Sequence, residues 1–247
     1  MSVSEATVPR RSGLMNVVDI VVAPNAAFER LRVVPTWGWA FLVASALGMI
    51  GLFLATPATI HAIQTSLPEQ LATNPNIAKL PADQQTKAIA NAMSITTTIT
   101  RISFLFVPVL VLVATLIQAL IMLVANAIGK GDGNFKKLFA LSMTVAVVGS
   151  GLGSLLAGLI FLVRGPDAFD TTASLQVLPS LALLVPGATG PLHGFLSGIN
   201  VMYVWATVLL AMGMQRVARI PRTTAWVTAA ILLLCTASLL AFQARQS

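Results

Sequence analysis

The stretch "ISFLFVPVLVLVATLIQALIMLVANAIG", residues 102–129, contains no charged side chain. A helix needs about 20 consecutive, mostly apolar residues to cross a bilayer, and this stretch exceeds that length. The whole chain of 247 residues is similar, with 56% hydrophobic residues, 9% charged residues and a mean hydropathy of +0.86. Soluble domains carry about 25% charged residues. The sequence therefore predicts an all-α, polytopic membrane protein whose helices are surrounded by lipid.

Four further apolar stretches have the length of a membrane span, which predicts five transmembrane helices. The predicted spans cover residues 37–55, 103–128, 138–163, 192–213 and 223–242. Residues 174–191 are also apolar, but three prolines and two glycines divide them into short pieces. Three interpretations of this segment stay open: a re-entrant segment, an interfacial segment, or a sixth crossing.

The distribution of basic residues predicts the orientation in the membrane. Ten of the 15 basic residues, including Arg10 and Arg11, lie before the first span or in the two short connections that follow the second and fourth spans. Short cytoplasmic segments carry such an excess, so the N-terminus is expected in the cytoplasm and the C-terminus outside. Asp19 and Pro24 interrupt the apolar stretch that follows the two arginines, so no cleaved signal peptide is expected.

Two regions outside the spans have apolar residues at helical spacing. Residues 1–35 are predicted to be a cytoplasmic amphipathic segment on the membrane face, divided by Pro24 into two short helices. Residues 36–247 then form the membrane domain. Within it, apolar stripes on both sides of Pro81 predict a helical hairpin in the outer loop, residues 56–101.

Small and polar residues inside the spans are candidates for helix packing. Gly149 and Gly153 form a G-x-x-x-G pair, which lets a neighbouring helix of this chain or of another subunit approach closely. Gln118, Asn126 and Asn200 carry amides that would hydrogen-bond between helices, and a substrate path lined by them is the alternative. No Asp, Glu, Lys or Arg lies within the five spans, which disfavours transport coupled to protons or sodium.

No catalytic, cofactor-binding or metal-binding residue is predicted. Residues 129–142, "GKGDGNFKKLFALS", lack the spacing of a phosphate-binding P-loop and follow a helix, so they predict a turn. His193 and Ser197 are four residues apart, but no acidic residue in a span could orient the imidazole, so an intramembrane hydrolase is a disfavoured alternative. His61 has no second ligand at metal-binding spacing.

Three stretches together resemble the Yip1 family of multi-pass membrane proteins. They are "VVDIVVAPNAAFERLRVVPTWGWAF", "FKKLFALSMTVAVVGSGLGSLLAGLIFLV" and "NVMYVWATVLLAMGMQRVARIPRTTAWVTAAILLL". The first is similar to the family's pre-membrane segment, which makes Asp19, Pro24 and Phe28 candidate interaction residues. The other two resemble the third span after its glycine-rich turn and the final pair of spans. The chain lacks the acidic and Tyr-Gly-Pro elements of the eukaryotic trafficking members, which indicates a bacterial-type member in the inner membrane.

The resemblance implies a non-enzymatic protein that interacts with or organises membrane components, in membrane trafficking or envelope homeostasis. The expected partners are the lipid bilayer and either other membrane proteins or further copies of the chain. Nucleic acid is not expected, because the net charge of +7 is concentrated in short segments between spans. The alternative function is that of a passive transporter or a lipid-handling protein.

Overall fold

A computed structural model describes residues 13–246 of the chain. Residues 1–12, with Arg10, Arg11 and the start of the predicted amphipathic segment, lie outside the described residues, as does residue 247. The described residues form eleven α-helices and several short 3-10 turns, with no β-strand. The predicted all-α fold is confirmed.

Two short helices precede the bundle, α1 (Gly13–Val22) and α2 (Pro24–Val33). Pro24 occupies the first turn of α2, where its fixed φ and missing N–H are tolerated. Both helices pack onto the bundle, and the side chains of Ile20, Phe28 and Leu31 are fully buried in its main core. The pre-membrane segment is therefore part of the folded core.

Helix α3 (Gly38–Ala72) is 35 residues long and continues well past the first predicted span. After the short α4 (Pro75–Ala78), helix α5 (Ala82–Ile102) returns along α3, and a 3-10 turn joins it to α6 (Val107–Ile128). Residues 56–101 are therefore two helical arms that extend the first two spans.

The third span contains an irregular turn. Helix α7 (Phe135–Ala146) passes through a π-helical turn (Val147–Leu152) into α8 (Gly153–Arg164). Helix α8 then packs closely against α3. A Cβ added to Gly158 would lie 2.4 Å from the Gly51 carbonyl oxygen, so the two backbones touch at this crossing.

The predicted fourth span, residues 192–213, is interrupted in the structure. Ile199 and Asn200 separate α9 (Gly190–Gly198) from α10 (Val201–Val217). The Oδ1 atom of Asn200 accepts hydrogen bonds from the Met202 and Tyr203 amides at 3.1 and 3.0 Å, which caps α10. Backbone hydrogen bonds with residues 179–181 also hold the break, because they pair with the groups on either side of Asn200.

Four helical runs among residues 13–246 are long and apolar enough to cross a membrane. They are Gly38–Ala72, Ala82–Ile128, Phe135–Arg164 and Arg222–Ala244, the last within α11 (Arg222–Gln246). They correspond to the first, second, third and fifth predicted spans. Residues 165–189 contain three 3-10 turns and no crossing helix.

Candidate functional site

The residues singled out in the sequence fall into two groups, one at each end of α10. We call one end of the bundle, the end that carries α1 and α2, the α1–α2 face. Asp19, Pro24, Phe28 and Asn126 lie at this face. The remaining four surround the N-terminal half of α10, beside its break, and they are Gln118, Gly149, Gly153 and Asn200.

Arg30 connects α1 to α2 at the α1–α2 face. Its guanidinium pairs with the Asp19 carboxylate, and its Nε atom donates to Oδ1 of Asn16 at 2.7 Å. The Nδ2 atom of the buried Asn16 in turn donates to Oγ1 of Thr36 at 3.3 Å. This network fixes the angle between the two helices and ties α1 to the start of α3. The sequence pattern indicated Asp19 but not its partner Arg30, because the two residues lie on different helices.

Phe28 anchors α2 on α10. Its ring is fully buried, and a Cβ added to Gly213 would lie 3.1 Å from the Cε1 atom of that ring. The same added Cβ would lie 2.3 Å from Cδ1 of Leu141, so glycine at position 213 leaves the space that Phe28 and Leu141 fill. Phe28 is therefore a packing residue, and its ring is not exposed to a partner.

Asn126 braces the turn between α6 and α7. Its Nδ2 atom donates to the Gly133 carbonyl oxygen, and its Oδ1 atom accepts from the Gly133 amide, both at 3.0 Å. The side chain is buried. Its amide therefore bonds to the backbone of the following turn of its own chain. The predicted hydrogen bond from Asn126 to another helix is therefore not formed, since both bonds of its amide go to Gly133 in the turn.

A polar cleft of about 60 Å³ lies between α6, α10 and α11. Its polar side chains are Gln118, Tyr203, Thr207 and Thr236. The two threonine hydroxyls donate to carbonyl oxygens of their own helices at 2.7 and 3.0 Å. Ser142 donates to Oε1 of Gln118. The Gln118 Nε2 atom and the Tyr203 hydroxyl have no hydrogen-bond partner among residues 13–246. Two donor groups are thus available to an occupant of the cleft.

The cleft lies beside the break in α10, far from the α1–α2 face. Tyr203 is about 20 Å along the helix axis from the end of α10, at a rise of about 1.5 Å per residue. The π-helical turn packs on the same part of α10, because a Cβ added to Gly149 would lie 3.2 Å from Ala206 Cβ. One added to Gly153 would lie 3.5 Å from Met202 Cβ. The helix that packs against this glycine pair is therefore α10 of the same chain.

The candidate nucleophile and base are not paired. Ser197 is buried, and its Oγ atom has no hydrogen-bond partner among the described residues, His193 included. The other histidine has neighbours that the sequence did not reveal: Nε2 of His61 lies 3.3 Å from Asp170 and Nδ1 lies 3.8 Å from Asp167. Because the two carboxylates face opposite ring nitrogens, all three groups cannot reach one ion, and no metal-binding group occurs among residues 13–246.

Comparisons with known proteins show the family of this chain. The model of the Yip1 domain family matches residues 18–242. The chain is 27% identical over 236 residues to the membrane protein YknW of Bacillus subtilis (strain 168), an alignment that covers 92% of this chain and 91% of that protein. No solved structure matches the chain. The family model covers nearly the whole chain, so this membrane protein belongs to the Yip1 domain family.

Proposed function

We propose that this protein is a non-enzymatic factor that organises other proteins in the bacterial cytoplasmic membrane. In this proposal the chain crosses the membrane five times, with its N-terminus in the cytoplasm and its C-terminus outside. The α1–α2 face then lies on the cytoplasmic side. The basic residues of the short connections support this orientation.

The packing of α9 and α10 on α11 supports a fifth crossing. A Cβ added to Gly194 would lie 2.6 Å from the Leu240 carbonyl oxygen, and one added to Gly198 would lie 2.6 Å from Ala237 Cα. Helices α9 and α10 therefore follow α11 in the opposite direction over much of its length. We infer that the two short helices together form the crossing that returns the chain to the cytoplasmic side before α11.

The observation that carries the proposed role is the exposed face of α1. Leu14, Val18 and Val22 are exposed and follow one another at intervals of four residues, so they form one apolar stripe. The opposite side of α1 is buried in the bundle, and the Arg30 network fixes its orientation. A rigidly held apolar stripe beside the ends of the spans suits an apolar helix of another membrane protein.

Photocrosslinking tests this assignment. A photoreactive residue at position 18 or 22 is expected to form discrete adducts with one or a few membrane proteins in native membranes. The control is the same residue at Val113, an exposed position in α6, where lipid adducts are expected. Lipid adducts alone at positions 18 and 22 would overturn the organising role, because the stripe would then only rest on the bilayer.

The polar cleft favours a second candidate function, a passive path for a small neutral solute or a lipid group. Interrupted helices at membrane depth occur where the backbone is buried in protein or lines a cavity. In many transporters they form the binding site. Here the interruption at Asn200 lies beside a cleft with two unpaired donor groups.

Flux measurements in liposomes test the second function. If the cleft is a path, the Gln118→Leu variant is expected to lower solute flux or lipid exchange severalfold, because it removes the amide donors that the cleft offers. The matched control is Thr115→Val on the same helix, whose hydroxyl bonds within α6 and does not line the cleft. Flux equal to that of protein-free liposomes would reject this function and leave the organising role intact.

A further inference from the structure

Two turns at the α1–α2 face are joined into one rigid unit, called the double turn here: residues 129–134 and 218–221. The Asp132 amide donates to the Ala218 carbonyl oxygen at 2.9 Å, and the Arg219 Nε atom lies 3.3 Å from the Asp132 carboxylate. A Cβ added to Gly131 would lie 2.5 Å from the Ala218 carbonyl oxygen. The close packing of the two backbones fixes the positions of the side chains that the double turn carries.

Each turn places a basic residue in the left-handed region of φ. Lys130 has φ 52° and Arg219 has φ 50°, and no other non-glycine residue among residues 13–246 has a positive φ. Both positions directly follow the cap of a helix, where glycine is the usual residue because a side chain is strained there. Both positions carry a cation despite this strain, and the charge of Arg219 is used in its pair with Asp132.

The charges of this face do not balance. Each of its three described acidic side chains contacts an arginine, and the pairs are Asp19–Arg30, Glu29–Arg216 and Asp132–Arg219. Several cations are then left without an acidic partner in the described part of the chain, namely Arg32, Lys130, Lys136, Lys137 and Arg222. The uncompensated positive charge lies on and around the double turn, where it attracts anions.

Exposed apolar side chains border these cations. Ile128 is 73% exposed and precedes Lys130 by two residues, and Trp226 is 38% exposed one helical turn after Arg222. Helix α6 ends here and helices α7 and α11 begin here, so three of the candidate spans have an end at the double turn. A ligand that satisfies both surfaces has a negatively charged head and an apolar tail.

We propose that the double turn binds the headgroup of an anionic phospholipid, with Lys130 and its cationic neighbours contacting the phosphate and with the acyl chains against Ile128 and Trp226. A free phosphate would leave the apolar border unused. A cation beside an anionic membrane surface typically strengthens binding about fivefold. The lipid would hold the turns that frame the α1–α2 face, independently of the partner that this face binds.

Native mass spectrometry of the detergent-solubilised protein tests the site, with phosphatidylglycerol and phosphatidylcholine as probes. The Lys130→Gly variant is expected to lose about fivefold in its preference for phosphatidylglycerol. Its thermal stability should be equal or higher, because glycine relieves the positive φ. Lys130→Arg should keep the preference. The matched control is Lys79→Gly, which removes an exposed cation at the end of α4 in the hairpin far from the double turn.

Two results would overturn the proposal. One is an unchanged lipid preference in Lys130→Gly, which would leave Lys130 as a charge that only complements the C-terminal dipole of α6. The other is complete competition of phosphatidylglycerol by inorganic phosphate, which would make the ligand a free anion. If Lys130→Gly does not fold, Lys130→Asn replaces it, because asparagine tolerates the left-handed region.

Discussion

The Gly51→Ala variant is expected to be strongly destabilised, because the added methyl group would separate α3 from α8. A Cβ at position 51 would lie 2.2 Å from the carbonyl oxygen of Ser154 and 2.6 Å from the amide nitrogen of Leu155. These are backbone atoms within α8, so they can move away only if the whole helix moves. We expect a loss of about 3 kcal/mol, the upper part of the range for overpacked sites.

The Gly38→Ala variant is the matched control for this prediction. It adds the same methyl group to the same helix, but its Cβ would meet no atom within 4 Å. Its stability should be unchanged or slightly higher, because alanine favours the helix. Thermal unfolding in detergent, followed by size-exclusion chromatography, compares the two variants with the parent. Equal unfolding temperatures for the two variants would show that the crossing of α3 and α8 is not as close as described.

The glycine contacts illustrate how far the sequence predicts the packing. Gly149 and Gly153 were recognisable because they are four residues apart on one helix, and they do contact α10. The closer crossing uses Gly51 and Gly158. They lie on different helices, so no short interval in the sequence connects them. A pattern of small residues within one helix shows which face of that helix can pack closely against another helix. It does not show which of the other helices in the chain packs there.

The interrupted fourth span has a similar explanation. Hydropathy predicts the long runs well, because bilayer thickness sets a minimum length that each run exceeds. The break at Asn200 depends on hydrogen bonds with residues 179–181, which are separated from it in the chain by α9. One local signal was available, since asparagine in an apolar run is a favoured helix N-cap. The prolines of residues 174–191 predicted an irregular segment, but they did not show that this segment pairs with the residues beside Asn200.

The Phe28→Ala variant tests whether the α1–α2 face is a rigid platform. Truncating a fully buried phenylalanine typically costs about 3–5 kcal/mol. Here the cavity would open between α2 and α10 beside Gly213. We therefore expect lower thermal stability and faster amide hydrogen exchange in α1 and α2, since Phe28 is a main anchor of α2 in the core.

Val33→Ala is the control for this variant, because Val33 is in the same helix but 68% exposed. Its exchange and stability should match those of the parent protein. Exchange in α3 and α8 should stay slow in both variants, since their contact does not involve α2. If Phe28→Ala leaves exchange in α1 and α2 unchanged, this ring does not hold the face in place. The apolar stripe of α1 would then lack the fixed orientation on which the proposed docking of another membrane protein depends.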